Sequence, residues 1–146
     1  MAKEHRDYSH RSAVQKLGVR ADDRVEVTGD VGPGLRKDLQ EAIGRGLVKS
    51  GQLDGAIVLV QSLEEAEGVL DRYRERMRDT GYLWLITRKR GHDRYVNQMQ
   101  LVPAAKQRGL IDNKTCSIDD DRSGIRFVIP RSQRRSADGG ANGAGA

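Results

Sequence analysis

Between Asp54 and Arg88 two short apolar runs flank one capped helix pattern, and few folds accommodate that order. Gly55-Ala-Ile-Val-Leu-Val60 and Tyr82-Leu-Trp-Leu-Ile86 are apolar throughout and are rich in branched or aromatic side chains. Runs this short fit strands covered on both faces better than they fit helices. Between them, Ser62 and Glu65 have the spacing of a capping box. Leu63, Ala66, Val69, Leu70, Tyr73 and Met77 then recur every three or four residues until Thr80-Gly81. The pattern predicts a β-α-β unit with a right-handed crossover, and so a parallel sheet with helices against it.

The flanking sequence extends this unit. Arg24-Val-Glu-Val-Thr28 alternates polar and apolar side chains, as a strand at or near a sheet edge does, and leads into Gly29-Asp-Val-Gly-Pro-Gly34. From Leu35 to Val48, the positions of Leu35, Leu39, Ala42, Ile43 and Leu47 predict a helix whose last turn is weakened by Gly44 and Gly46. Leu47-Val48 is too short to establish an edge strand of its own. Met99 to Arg108 reads as a shorter helix, with Pro103 tolerated only in a first turn and Gly109 as its stop. Leu110-Ile118 and Ile125-Ile129 are strands joined through Asp119-Asp-Asp-Arg-Ser-Gly124, a connection short enough to make them antiparallel.

Residues 1–11 show no apolar period and are expected to be flexible, while Ser12 caps a short helix that turns Val14 and Leu17 inward. Residues 131–146 form a basic and then Gly/Ala-rich tail, expected to be disordered. Residues 12–130 remain as one Rossmann-like α/β domain of three layers. Its sheet is mostly parallel, with the C-terminal strand Ile125-Ile129 antiparallel and hairpin-linked to Leu110-Ile118. A chain of 146 residues supports one core of this size and not two.

Lys and Arg number 26 against 21 acidic residues, a formal charge of +5 that favours anionic partners without requiring them. The single cysteine, Cys116, excludes an internal disulfide and a CxxC-type zinc cluster, and its strand is expected to be covered. No stretch approaches the ~20 apolar residues of a membrane span, and no secretory leader pattern opens the chain. These features lead to the expectation of a cytoplasmic protein with no membrane partner.

The chain contains Lys16-Leu-Gly-Val19, Asp54 to Val60, Leu83-Trp-Leu-Ile86, Gly109-Leu-Ile-Asp-Asn-Lys-Thr-Cys-Ser-Ile-Asp119 and Ser123-Gly-Ile-Arg-Phe-Val128. Together these segments resemble a bacterial family, chiefly actinobacterial, known as a domain of unknown function. The last two are the most specific, and the resemblance spans roughly residues 14 to 130. The sequence departs from the family pattern in two places. Arg122 stands where a Trp precedes the Ser-Gly pair, and Ile86-Thr-Arg88 replaces a Trp-Pro-Lys motif. The order of elements is also similar to a trimmed Rossmann-like methyltransferase fold, a likeness of architecture that does not license an activity.

In an open parallel sheet, ligands gather beyond the carboxyl ends of the strands. Those ends supply Gly29 to Gly34, Gln61-Ser62, Thr87-Arg88-Lys89 and Asp119 to Ser123. The candidate ligand-binding residues are therefore Gly29, Asp30, Gly32, Gly34, Ser62, Thr87, Arg88, Lys89, Asp119 and Arg122. The glycine turn can bring backbone amides to a phosphate or carboxylate, or it can simply need positive φ angles. It has neither the GxGxxG nor the GxxxxGK[ST] spacing, and no acidic residue ends a clear second strand to hold a ribose.

Asp119, Asp120 and Asp121 are consecutive and cannot all converge on one cation, so no metal is assigned. Cys116 has no neighbouring histidine, and His92 has no identified partner, so no catalytic residue is assigned either. The leading reading is a non-catalytic binding or regulatory protein for an anionic small molecule or a protein partner. No cofactor is implied. S-adenosylmethionine or a nucleotide belongs to an enzyme alternative, a degenerate methyltransferase-like or nucleotide-using protein. A third reading is a nucleic-acid-binding accessory protein acting through Arg88, Lys89, Arg90, Arg94, Tyr95, Arg131, Arg134 and Arg135.

Overall fold

A computed structural model describes residues 14–44 and 46–134. The expectations for residues 1–11, Ser12 and 135–146 lie outside the described residues. The strands are β1 Val25–Thr28, β2 Leu53–Leu59, β3 Met77–Arg88, β4 Ile111–Ser117 and β5 Arg122–Val128. They form one sheet in the order β1-β2-β3-β5-β4. β1, β2 and β3 are parallel, and β5 runs antiparallel between β3 and β4. Helices α1 Pro33–Ala42, α2 Leu63–Arg76 and α3 Gln98–Lys106 complete the three layers, as the sequence pattern predicts.

Strand alternation divides the core in two. Leu83 and Leu85 of β3 join Ala56 and Val58 beneath α2 and α3. Trp84 and Ile86 point the other way, to Ile57, Leu35 and Leu39 beneath α1. Both crossovers step in one direction across the sheet, yet α1 and α2 cover opposite faces, so the two crossovers differ in hand. The return from α1 runs beside β1, where the Val48 N–H donates to the Val25 carbonyl at 2.9 Å. One bond of this kind does not make Leu47-Val48 a strand.

Bare glycines admit the two large rings of β3. A Cβ at Gly55 would stand 2.1 Å from the Tyr82 ring, and one at Gly124 would stand 3.0 Å from Trp84. The Trp84 indole N–H donates to the Leu17 carbonyl at 2.8 Å, which fastens the helical turn at residues 14–17 onto the sheet.

Several expected boundaries move. α2 ends at Arg76 instead of continuing to Thr80, and Met77 already pairs with Leu53. Met77 is buried as a strand residue, so an apolar side chain at helical spacing does not mark a helix here. Residues 78–81 bulge before Gly55 pairs with Tyr82, and Gly81 passes 3.0 Å from the Asp54 carbonyl as judged at its absent Cβ. α1 stops at Ala42 because Ile43 is already extended. Pro103 lies inside α3 and not in its first turn. The bond it forfeits is the one to the carbonyl of Met99, the most exposed large apolar residue among the described residues at 73%. Arg122, Ser123 and Gly124 belong to β5 and not to the connecting loop, because they pair with Arg88, Thr87 and Ile86. β4 is an exposed edge strand, so Cys116 is only partly covered, contrary to the sequence-based expectation.

Candidate functional site

The carboxyl ends of β1 and β3 meet the hairpin between β4 and β5 at one rim, and alternation sorts the rim into two faces. Arg88 and Arg122 are direct neighbours across β3 and β5. They follow Trp84 and Ile86 to the α1 side, where Asp30 receives both. Arg122 donates through one terminal nitrogen to Asp30 Oδ2 at 2.8 Å and through Nε to the Asp30 carbonyl at 2.9 Å. Arg88 reaches the same Oδ2 at 3.5 Å.

Asp119 completes this cluster. Its carboxylate accepts from the other Arg122 terminal nitrogen at 2.9 Å and from the Arg122 backbone N–H at 2.8 Å. Gly32 has φ 113°, and a Cβ there would lie 3.0 Å from Asp119 Oδ2. Hairpin and glycine turn are therefore packed against each other, with the Arg122 side chain 9% exposed between them. Burial would raise the Asp30 carboxyl, but bonds from Arg122 and the Gly32 N–H, with the charge of Arg88, hold it below the usual carboxylate range. Burial likewise acts to lower Arg122, and Asp30 and Asp119 reverse that effect. Two guanidinium groups against two carboxylates leave this half of the rim balanced in charge.

The other face carries Thr87 and Ser123, also paired across the strands. Thr87 is 1% exposed. The Gln98 amide, at the start of α3, donates to Thr87 Oγ1 at 3.2 Å and to Ser123 Oγ at 3.5 Å. Above them is a cleft of about 290 Å³, walled by Arg88, Lys89, Arg90, Tyr95 and Met99. The Arg90 guanidinium lies 5.5 Å from the centre of the Tyr95 ring, and Lys89 donates to Ser117 Oγ at 2.8 Å. Among the described residues no carboxylate pairs with Lys89 or Arg90, in contrast to Arg88 and Arg122.

The rim thus brings together Asp30, Gly32, Arg88, Asp119 and Arg122, with Thr87 and Lys89 beside them. Gly29 has φ 84° and turns the chain against Leu59. Gly34 lies within α1 beside open space, and Ser62 serves as the α2 cap, accepting from the Glu65 N–H at 3.0 Å. Sequence reading missed Gln98, Tyr95 as a cleft wall and Met99, and it placed Ser123 in a rim loop without assigning it a role. The pairing of Ser123 with Thr87 was the missing signal, because it depends on a register that is invisible in the sequence.

The basic segments of the nucleic-acid reading are not brought together. β5 runs from Arg122 beside Arg88 to Val128 beside Tyr82, so Arg131 and Arg134 lie at the opposite end of the sheet from Arg88, Lys89, Arg90 and Arg94. Seven strand residues separate the two ends by about 20 Å. Arg134 is engaged locally, donating to the Ile129 carbonyl at 2.8 Å, and Arg135 lies outside the described residues. Among the described residues no group of His, Cys, Asp and Glu is placed to hold a metal ion, and no helix is long and apolar enough to cross a membrane.

These features define a single-domain α/β protein with a Rossmann-like, methyltransferase-like fold. A methyltransferase dependent on S-adenosylmethionine from Aquifex aeolicus superposes with a TM-score of 0.58 at 10% identity, covering 82% of this chain and 89% of that one. The precorrin 8w decarboxylase from Methanobacterium thermoautotrophicum gives 0.61 at 10%, over 84% and 90%. The CcbJ methyltransferase from Streptomyces caelestis gives 0.55 at 9%, over 82% and 89%. At such identities the likeness is one of fold alone. No curated protein matches the sequence significantly. Residues 14–131 match the family described as Protein of unknown function (DUF3052), and the chain belongs to it.

Proposed function

We propose that this protein is a non-catalytic binding or regulatory protein that takes an anionic ligand at the carboxyl-end rim of its sheet, in the cytoplasm. The observation that carries this reading is the division of charge. Arg122 fills the glycine turn and is neutralised by Asp30 and Asp119, whereas Lys89 and Arg90 face an open cleft without a carboxylate. A cation beside a concave surface favours an anion, small or displayed by a protein partner.

The fold favours a second reading, a degenerate methyltransferase-like or nucleotide-using enzyme. Gly29 and Gly32, both at positive φ after β1, would let a ligand approach the backbone once Arg122 swings out. Titration calorimetry at low salt separates the two. Binding of inorganic phosphate or a small carboxylate that weakens as salt rises is expected, together with no heat from S-adenosylmethionine or ATP. Saturable binding of S-adenosylmethionine that Gly34→Val abolishes would overturn the proposal in favour of the enzyme.

A further inference from the structure

The geometry points to a specific ligand class for the cleft at residues 87–99, namely an oxyanion carried on a planar unsaturated group. This inference rests on the anion-binding reading above and deepens it. Its first support is hydrogen-bond polarity. A hydroxyl has one hydrogen to give and lone pairs to receive. Gln98 already donates to the oxygens of Thr87 and Ser123, so both hydroxyl hydrogens remain to be donated. Asn97 Oδ1, another acceptor in the lining, is engaged in accepting from the Met99 N–H at 2.9 Å, which leaves the Gln98 amide oxygen as the side-chain acceptor beside these hydroxyls.

The cleft floor therefore presents donors, with Lys89 and Arg90 adding positive charge at its edge. An oxyanion accepts from several donors at once through charge-assisted bonds, stronger than those a neutral oxygen makes, and a cationic group accepts none.

The second support is the shape and chemistry of the wall. Tyr95 and Met99 are exposed to 36% and 73%, although both line a concave surface. An aromatic ring already flanked by a guanidinium, in a lining that also holds a thioether, suits a flat unsaturated group. About 290 Å³ accommodates one ring with its anionic substituent but not an extended chain. Thr87 and Ser123 lie on the α2 and α3 side of the sheet, so an occupant bound to them leaves Arg122 with Asp30 and Asp119 on the α1 side, and Arg88 is the residue that the two sites share.

Titration of the full chain with phenyl phosphate, benzoate, inorganic phosphate and cyclohexanecarboxylate tests this assignment. The aromatic anions are expected to bind about tenfold more tightly than their non-planar counterparts. Phenyl phosphate against benzoate distinguishes a phosphate from a carboxylate source. Ser123→Ala and Thr87→Val are each expected to weaken binding about tenfold, the value of one charge-assisted hydrogen bond. Tyr95→Ala is expected to erase the preference for the planar probes. Amide chemical shifts should move in residues 87–99 and not in residues 29–34. Should Thr87→Val fail to fold, the partly exposed Ser123→Ala and the shift map decide. Anion binding that survives Ser123→Ala and Tyr95→Ala but moves residues 29–34 would overturn the cleft and leave the rim reading intact. Equal affinity for planar and non-planar probes would overturn the planar group. Absence of binding by all four probes would overturn both.

Discussion

At Gly55 the absence of one carbon decides where a strand pair closes. The Tyr82 ring occupies the space a side chain would need, and its hydroxyl donates to Asp23 Oδ2 at 2.9 Å. Burial first, and then the charge and hydrogen bond of Asp23, push the Tyr82 phenol far above its usual range. Gly55→Ala would drive a methyl group into the ring and force it aside. It is expected to destabilise the protein by ~3 kcal/mol, as overpacking of a filled core does. Denaturant melts of the variant measure this, and a loss below ~1 kcal/mol would mean that the ring moves freely. Gly55 was legible only as the start of an apolar run, because the ring it must admit lies twenty-seven residues downstream.

Between β1 and α2 the relevant unit is a polar network set into an apolar interface. Glu26 accepts from the Tyr73 hydroxyl at 2.5 Å and pairs with Arg76 at 2.8 Å, and Thr28 meets the same Tyr73 oxygen at 2.9 Å. Burial would raise the Glu26 carboxyl, but the bonds from Tyr73 and Arg76 outweigh it and hold it below the usual value. A carboxylate lowered by folding contributes stability above its unfolded pKa of about 4.3, and loses that contribution as pH falls through the lower folded value. Asp30 acts in the same sense near the same range. The melting temperature is therefore expected to fall steeply on acidification from about pH 5 to pH 3. Glu26→Gln should lower it at pH 7 and flatten that acid limb. Parallel acid limbs in the two proteins would show that Glu26 has no part in it. In the sequence, Glu26 is simply the polar position of an alternating strand, and Tyr73 counts as core at helical spacing.

Across the molecule, Arg122 ties the β4–β5 hairpin to the turn after β1, ninety-two positions away in the chain. Replacement by alanine leaves Asp30 and Asp119 facing each other near Gly32 without their common partner. Arg122→Ala is expected to cost ~2 kcal/mol, the range for buried hydrogen bonds to charged groups discounted for two partly exposed carboxylates. Hydrogen exchange should quicken in residues 29–34 and 118–122 while the β2 and β3 amides keep their protection. Equal acceleration throughout would show that Arg122 supports the whole core and not the junction alone.

The β-α-β unit, the parallel centre of the sheet, the antiparallel hairpin and the rim loops were legible in the chain, because each rests on local periodicity, a cap or a short connection. The apolar faces of Leu83 with Leu85 and of Trp84 with Ile86 follow from alternation alone. Tertiary structure decided the rest. Strand pairing set Arg88 beside Arg122 and Thr87 beside Ser123, and so divided one basic segment into a closed ion-paired junction and an open cleft. It also carried Arg131 and Arg134 to the far end of the sheet. Register and strand order join residues far apart in the chain, and neither leaves a mark in the local spacing from which a sequence is read.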